Sequence, residues 1–163
     1  MLEIEKTYLV EKIPINLSEY KGHQIKQGYI SSTPSPLRIR QNDNKFELTK
    51  KLPVKEGDFS MAEELNIPLT ELEFKKLWPL VEKYLEKTRY YIPLENNLIA
   101  ELNIYKGDLE GLVFVEVEFK SEVEMKLFKA PDWFGKDVTQ DDFSANSFLA
   151  GKNFSEIKKY MEQ

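Results

Sequence analysis

The sequence predicts one α+β domain, residues 1–163, that is mainly β: an antiparallel sheet of eight strands with a few flanking helices. Three observations support this fold class. Short segments in which apolar and polar residues alternate recur along most of the chain. Helical periodicity appears in only three places, and no repeat, linker or low-complexity tract divides the chain. Many strands with few helices are typical of an antiparallel sheet, and eight strands are enough to close a barrel.

The predicted strands are the segments with period-two alternation, bounded by turn-forming residues such as Pro34-Ser35-Pro36 and Lys106-Gly107-Asp108. They cover residues 2–10, 24–32, 37–42, 45–51, 61–69, 87–93, 98–105 and 112–120. Because successive side chains of a strand point to opposite sides of the sheet, each strand has two faces that can be compared.

Helices are predicted where Ser, Thr or Asn is followed three residues later by Glu, since this pair caps a helix N-terminus. The pairs are Thr70 with Glu73, Ser121 with Glu124, and Asn153 with Glu156. Each pair opens an apolar stripe, which favours a helix that packs on the sheet.

The composition excludes several kinds of function. The chain has 23 basic and 28 acidic residues, which argues against a general nucleic-acid or anionic-membrane binder. It has no cysteine and one histidine, His23, so any metal would be held mainly by carboxylates. No apolar run approaches the roughly 20 residues that cross a bilayer, and no signal peptide opens the chain, so a cytoplasmic location is expected.

The predicted strands have one apolar face and one face whose charges are grouped by sign. The grouped pairs are Glu3 and Glu5, Arg38 and Arg40, Lys87 and Arg89, and Glu116 and Glu118. One interpretation is an ordinary solvated face on which opposite charges pair across strands. The grouping favours another, because like charges repel unless an ion relieves them. Carboxylates then suit a divalent cation and guanidiniums suit an oxyanion, so this face, if it points inward, would bind a metal–polyphosphate.

A series of strand motifs, in order along nearly the whole chain, resembles a known family. The motifs are Glu3-Ile4-Glu5-Lys6, Gln27-Gly28-Tyr29-Ile30, Leu37-Arg38-Ile39-Arg40, Leu48-Thr49-Lys50, Glu64-Leu65-Asn66-Ile67-Pro68-Leu69, Glu86-Lys87-Thr88-Arg89, Ala100-Glu101-Leu102-Asn103 and Val115-Glu116-Val117-Glu118. They resemble the CYTH superfamily, the triphosphate tunnel metalloenzymes. This superfamily includes class IV adenylate cyclases, thiamine triphosphatases and bacterial inorganic triphosphatases.

The resemblance implies a closed eight-stranded antiparallel barrel, with flanking helices, whose polar interior is a triphosphate tunnel. The side chains that it implies contact phosphate are Arg38, Arg40, Lys50, Lys87 and Arg89; within the basic run 50–55, only Lys50 is expected to face inward. The implied ligands of Mg²⁺ or Mn²⁺ are Glu3, Glu5, Glu116 and Glu118, with Glu64 and Glu101 close by. For catalysis, Lys87 is the expected base, Arg89 offsets charge on the transferred group and Tyr29 orients the substrate.

The sequence departs from the family pattern at tunnel positions. Thr7 stands in place of a lysine, Ala62 in place of an arginine, and Asn66 and Asn103 in place of acids. The segment 141–146 also lacks the Arg or Lys that many members have there. Cations and carboxylates are lost together, which keeps the tunnel near charge balance and favours a retuned site as much as a decayed one.

Three functions stay open on the sequence alone. The first is a metal-dependent triphosphatase, a hydrolase of inorganic tripolyphosphate or of an organic triphosphate. The second is an adenylate cyclase of class IV type, and the third is a sensor that binds polyphosphate or nucleotide without catalysis. The expected partner is a triphosphate-containing small molecule, with no nucleic acid and no membrane, and the chain is expected to be a monomer or a homodimer.

Overall fold

The computed structural model describes residues 1–13 and 16–163, and within them it has eight strands and four α-helices. The strands β1 to β8 are Leu2–Leu9, His23–Ser31, Leu37–Asn42, Lys45–Pro53, Met61–Leu69, Lys83–Pro93, Ile99–Tyr105 and Val113–Glu118. The helices α1 to α4 are Glu71–Leu77, Glu122–Leu127, Asn146–Leu149 and Phe154–Met161. Short 3-10 helices cover Leu17–Glu19, Trp78–Leu80, Glu95–Asn97, Gly107–Leu109 and Asp142–Ser144.

The strands form a closed antiparallel barrel in the order β1-β5-β4-β3-β2-β6-β7-β8, so the predicted fold class is confirmed. All eight strands were predicted, with ends that shift by one or two residues, except that β6 begins at Lys83 instead of residue 87. The earlier start has a structural cause, because Lys83 and Tyr84 continue the pairing with β2 opposite Tyr29 and Gly28.

The three predicted helix starts are confirmed. The Thr70 side chain accepts a hydrogen bond from Glu73 N, and the Glu73 carboxylate accepts one from Thr70 N. Asn153 and Glu156 form the same reciprocal pair at the start of α4. Ser121 caps α2. Helix α3 was not predicted, because no side chain caps its start and it is only four residues long.

The outer face of the barrel is covered where it is apolar. Ile4, Tyr8, Leu102, Val115 and Val117 from β1, β7 and β8 form one buried cluster, and Phe134 and the side chains of the segment around it pack against them. This packing turns the apolar face outward toward its covering segments, and strand alternation therefore turns the charged face into the barrel. No helix of the described residues is long and apolar enough to cross a membrane.

A second apolar cluster fills part of one barrel end. Tyr29, Leu85, Tyr105 and Phe114 point inward from β2, β6, β7 and β8, and the C-terminal segment packs on them through Phe143, Leu149 and Ile157. This contact brings residues 144–147 to the barrel interior, where they line a cavity together with Glu5 and Thr7 of β1.

Candidate active site

Two adjacent cavities occupy the barrel interior, and we call them the first and second chambers. The first has a volume of about 250 Å³, and nine of the predicted site residues line it: Glu3, Glu5, Arg38, Arg40, Glu64, Arg89, Glu101, Glu116 and Glu118. The second has a volume of about 280 Å³ and is lined by Tyr29 together with mostly uncharged residues. Glu5, Arg38, Lys51, Glu116 and Asn146 line both chambers, and we call these five residues the waist. The charged face of the strands therefore forms one continuous interior surface.

Arg89 is the centre of one ion-pair network in the first chamber. Its guanidinium lies 2.6 Å from Glu101 and 2.7 Å from Glu116, and its Nε donates to Asn103 Oδ1 at 2.8 Å. Asn103 also donates to Glu116 at 3.1 Å. Burial works against ionisation of Glu116, but Lys87 and Arg89 outweigh it and lower its pKa to about 2. Asn103, at a position where an acid was expected, thus links the arginine to a buried carboxylate that stays charged.

Lys51 is the centre of a second network at the waist. Its Nζ lies 2.7 Å from Glu3 and 3.1 Å from Glu5. Burial favours the neutral amine, but the two carboxylates outweigh it and raise the pKa of Lys51. Burial and the neighbouring carboxyl groups of Glu3 and Glu116 raise the pKa of Glu5 to about 8 despite Lys51. Lys51 therefore offsets the charge of Glu3, whereas Glu5 keeps its proton up to a pH of about 8.

Arg38 and Arg40 project from β3 into the same cavity. Arg38 pairs with Glu64 at 3.3 Å, and its buried Nε has no hydrogen-bond partner among the described residues. Arg40 donates to Gln27 at 3.1 Å and lies 3.4 Å from Glu47. Burial and the neighbouring arginines lower the pKa of Arg40 to about 10. These guanidiniums crowd each other, so an anion placed between them would relieve repulsion.

The prediction that Lys50 faces the tunnel is wrong. Its Nζ donates to the Ser35 carbonyl oxygen at 3.2 Å, and it lines neither chamber, whereas Lys51 lines both. The cause is strand alternation: Thr49 faces inward and donates to Asn66, so Lys50 must face outward and Lys51 inward. The apolar residues Phe46, Leu48 and Leu52 on the opposite parity are the sequence signal that could have identified Lys51.

Lys87 lies inside the barrel, but it lines neither chamber. Its side chain is fully buried, and burial lowers its pKa well below the usual value. Its Nζ is 3.4 Å from Oδ1 of Asn146, a residue that lines both chambers. Sequence reasoning did not single out Asn146, because it belongs to no strand and no periodic pattern marks it.

The departures from the family pattern fall into two groups. Asn103 and Asn66 belong to the charged interior, where Asn66 accepts from Thr49 at 2.6 Å. Thr7 and Ala62 line the second chamber instead, beside Tyr29, whose hydroxyl accepts from Gln27 at 3.0 Å. Two of the three cations that the family pattern has and this chain lacks, those at positions 7 and 62, therefore belong to the same side of the waist.

The donor set of the first chamber suits a hard divalent cation, since carboxylate oxygens are the ligands that such ions prefer. Within residues 1–13 and 16–163, however, no three acidic or histidine side chains are grouped as a metal site. The reason lies in the ion pairs above, in which Lys51 and Arg89 draw the carboxylates to themselves. The carboxylates are suitable metal ligands, and in the present arrangement they form ion pairs with Lys51 and Arg89 instead.

Comparison with known proteins gives one consistent result. No family model matches the chain. An inorganic triphosphatase of Nitrosomonas europaea is 39% identical over 155 residues, covering 92% of this chain and 97% of that protein. An inorganic triphosphatase of Acetivibrio thermocellus is 36% identical over 159 residues, covering 96% and 98%. A crystal structure of an inorganic triphosphatase matches with a TM-score of 0.66 and 34% identity, covering 91% of this chain and 93% of that one.

Proposed function

Since this chain belongs to the inorganic triphosphatase family, within the CYTH superfamily of triphosphate tunnel metalloenzymes, we propose that it hydrolyses inorganic tripolyphosphate inside its barrel. The observation that carries the proposal is the first chamber. Arg38, Arg40, Lys51 and Arg89 line a cavity of about 250 Å³. Seven glutamates line the same cavity, so its four cations suit the phosphoryl oxygens of a polyphosphate that arrives with a divalent cation for the carboxylates.

The basic side chains would bind and polarise the substrate. Guanidinium groups can donate two parallel hydrogen bonds to phosphoryl oxygens, and burial strengthens such contacts. Arg38 and Arg89 are already held by Glu64 and Glu116, so little reorganisation is needed when the phosphates arrive. Their role is to offset the charge that develops as the terminal phosphoryl group is transferred to water.

A divalent cation, Mg²⁺ or Mn²⁺, would be held by Glu3, Glu5, Glu116 and Glu118, with Glu64 and Glu101 close by. When bound, it would supply Lewis-acid polarisation of the phosphoryl oxygens. In the free protein Lys51 contacts both Glu3 and Glu5. A substrate carrying both anionic oxygens and a cation could exchange partners with this ion pair, because it offers Lys51 an anion in return.

Lys87 is the proposed base. Its burial lowers its pKa and so favours the amine without a proton, which is the form that can accept one from water. Arg89 on the same strand face helps by disfavouring a second positive charge nearby. Tyr29 is proposed to orient the substrate from the second chamber.

An organic triphosphate is the second candidate substrate, and the second chamber favours it. Pro34, Phe59, Met61 and Ala62 give this chamber an apolar lining, with Thr7 in place of a cation. A charged terminal phosphate gains little there, whereas an uncharged group attached to the triphosphate would be accommodated. Adenylate cyclisation and binding without catalysis remain the alternatives that product analysis separates.

The test is phosphate release from tripolyphosphate, thiamine triphosphate and ATP, each with Mg²⁺ or Mn²⁺ and with cyclic AMP measured as a second product. EDTA and an Arg38→Ala variant serve as controls. We expect tripolyphosphate to be the fastest substrate and both controls to abolish release. Cyclic AMP formation would identify a cyclase, and binding without turnover of any substrate would identify a sensor.

A further inference from the structure

Asn146 reaches the waist of the tunnel from outside the barrel strands. It belongs to the C-terminal segment, at the start of α3, and it lines both chambers. The other waist residues, Glu5, Arg38, Lys51 and Glu116, are all charged and all lie on strands. Asn146 is therefore the one neutral member of the waist.

The Asn146 carboxamide is held in one orientation by the barrel wall. Tyr105 on β7 donates its hydroxyl to Oδ1 at 2.6 Å, and Lys87 on β6 lies 3.4 Å from the same atom. Burial raises the pKa of Tyr105 well above its usual value, so the hydroxyl keeps the proton that it donates. With Oδ1 occupied by two donors, the amide nitrogen must point to the other side of the group.

The amide nitrogen has no protein partner. Nδ2 makes no hydrogen bond to any residue in the described ranges, and it is not among the buried polar atoms that lack one. It is therefore accessible from the cavity and offers two hydrogens there. Nδ2 therefore lacks a hydrogen-bond acceptor, and the charged oxygens of a phosphoryl group are suitable acceptors.

We propose that Asn146 is a substrate-binding residue, which donates its Nδ2 hydrogens to phosphoryl oxygens of the triphosphate at the waist. The inference rests on the proposed function and adds a residue to it. A neutral donor suits this position, because Arg40 already lies near the charges of Arg38 and Arg89 and a further cation would add to that repulsion. Tyr105 is the positioning residue that keeps the donor aimed into the cavity.

A purely structural role would be different, since Asn146 would then only attach the C-terminal segment to Tyr105. The two roles separate when binding affinity and thermal stability are measured on the same variants. Binding is measured by calorimetric titration with tripolyphosphate in EDTA, so that no turnover takes place during the measurement. The variants are Asn146→Ala, Asn146→Asp and Tyr105→Phe, and the control is Asn153→Ala, which removes the cap of α4 at a residue that lines neither chamber.

We expect Asn146→Ala to weaken tripolyphosphate binding by about 10- to 100-fold, as a hydrogen bond to a charged group predicts. Tyr105→Phe should weaken it less, since the donor remains but is no longer fixed. Asn153→Ala should lower the melting temperature and leave affinity unchanged. Asn146→Asp keeps the oxygen that Tyr105 and Lys87 contact, so it should fold, and it should lose at least as much affinity as Asn146→Ala.

Wild-type affinity in either Asn146 variant would overturn the proposal, and Asn146→Asp decides the matter if Asn146→Ala does not fold. A melting temperature lowered as in Asn153→Ala with affinity unchanged would assign Asn146 a structural role only. Failure of the proposed function gives another result, because the wild-type chain would then bind no tripolyphosphate either in EDTA or with Mg²⁺ or Mn²⁺, which overturns both.

Discussion

The two chambers are built by the same strands and yet have opposite chemistry. β1 gives Glu3 to the first chamber and Thr7 to the second, and β5 gives Glu64 to the first and Ala62 to the second. Alternation along a strand decides only that these side chains point inward. Position along the barrel axis decides whether they meet arginines or prolines. One end of a tunnel can therefore differ in the chemical groups that it accommodates, while the other end keeps its charged side chains.

The largest effect is expected from Lys51, because it belongs to the waist. Lys51→Ala should lower kcat/KM for tripolyphosphate by about 100-fold or more, since it removes a charge-assisted contact and leaves the charge of Glu3 without its partner. The matched control is Lys50→Ala, which removes a lysine from the outer face of the same strand. Steady-state rates of both variants measure the difference, and equal losses would contradict the assignment of the inner face.

Arg40 tests the first chamber alone, since it does not line the second. Arg40→Ala should weaken tripolyphosphate binding by about 10- to 100-fold. The fold should survive, because the contacts of Arg40 with Gln27 and Glu47 are longer than the ion pairs of Arg89. Calorimetric titration and a melting curve check both statements. Unchanged affinity would remove the first chamber as the phosphate site.

Thr7 tests the second chamber. Thr7→Lys places a cation there beside Tyr29, and we expect activity on tripolyphosphate to rise by up to about tenfold, with a smaller change or a loss for an organic triphosphate. Competing rates on tripolyphosphate and ATP give the ratio. A lower tripolyphosphate rate would mean that the site is tuned around the threonine, and the view of a decayed site would lose support.

The fold and most of the site were predictable from sequence, for identifiable reasons. Period-two alternation gave all eight strands, and the grouped charges of Arg38 with Arg40 and Glu116 with Glu118 gave the inner face. Two residues of the waist were not found. Lys51 was missed because it adjoins Lys50, and a shift of one residue reverses the face. Asn146 was missed because tertiary packing of the C-terminal segment, not strand periodicity, brings it to the tunnel.

The smallest expected effect is the dependence of stability on pH, which again distinguishes carboxyl groups of the tunnel from those on the outer surface. Burial raises the pKa of Glu5 to about 8 and that of Glu118 to about 7, where Glu101 and Glu3 add to the effect. The folded chain therefore keeps protons that the unfolded chain releases above a pH of about 4.5. Stability should fall as pH rises from about 5 to about 8, by at most about 1.4 kcal/mol per pH unit for Glu5 and by less for Glu118, whose charge is screened by solvent. Melting curves in EDTA across this range should show the fall, Glu5→Gln should remove most of it, and Glu110→Gln, at an exposed position, should leave it unchanged. A flat wild-type profile would mean that Glu5 is already ionised in the folded protein and that Lys51 offsets its charge.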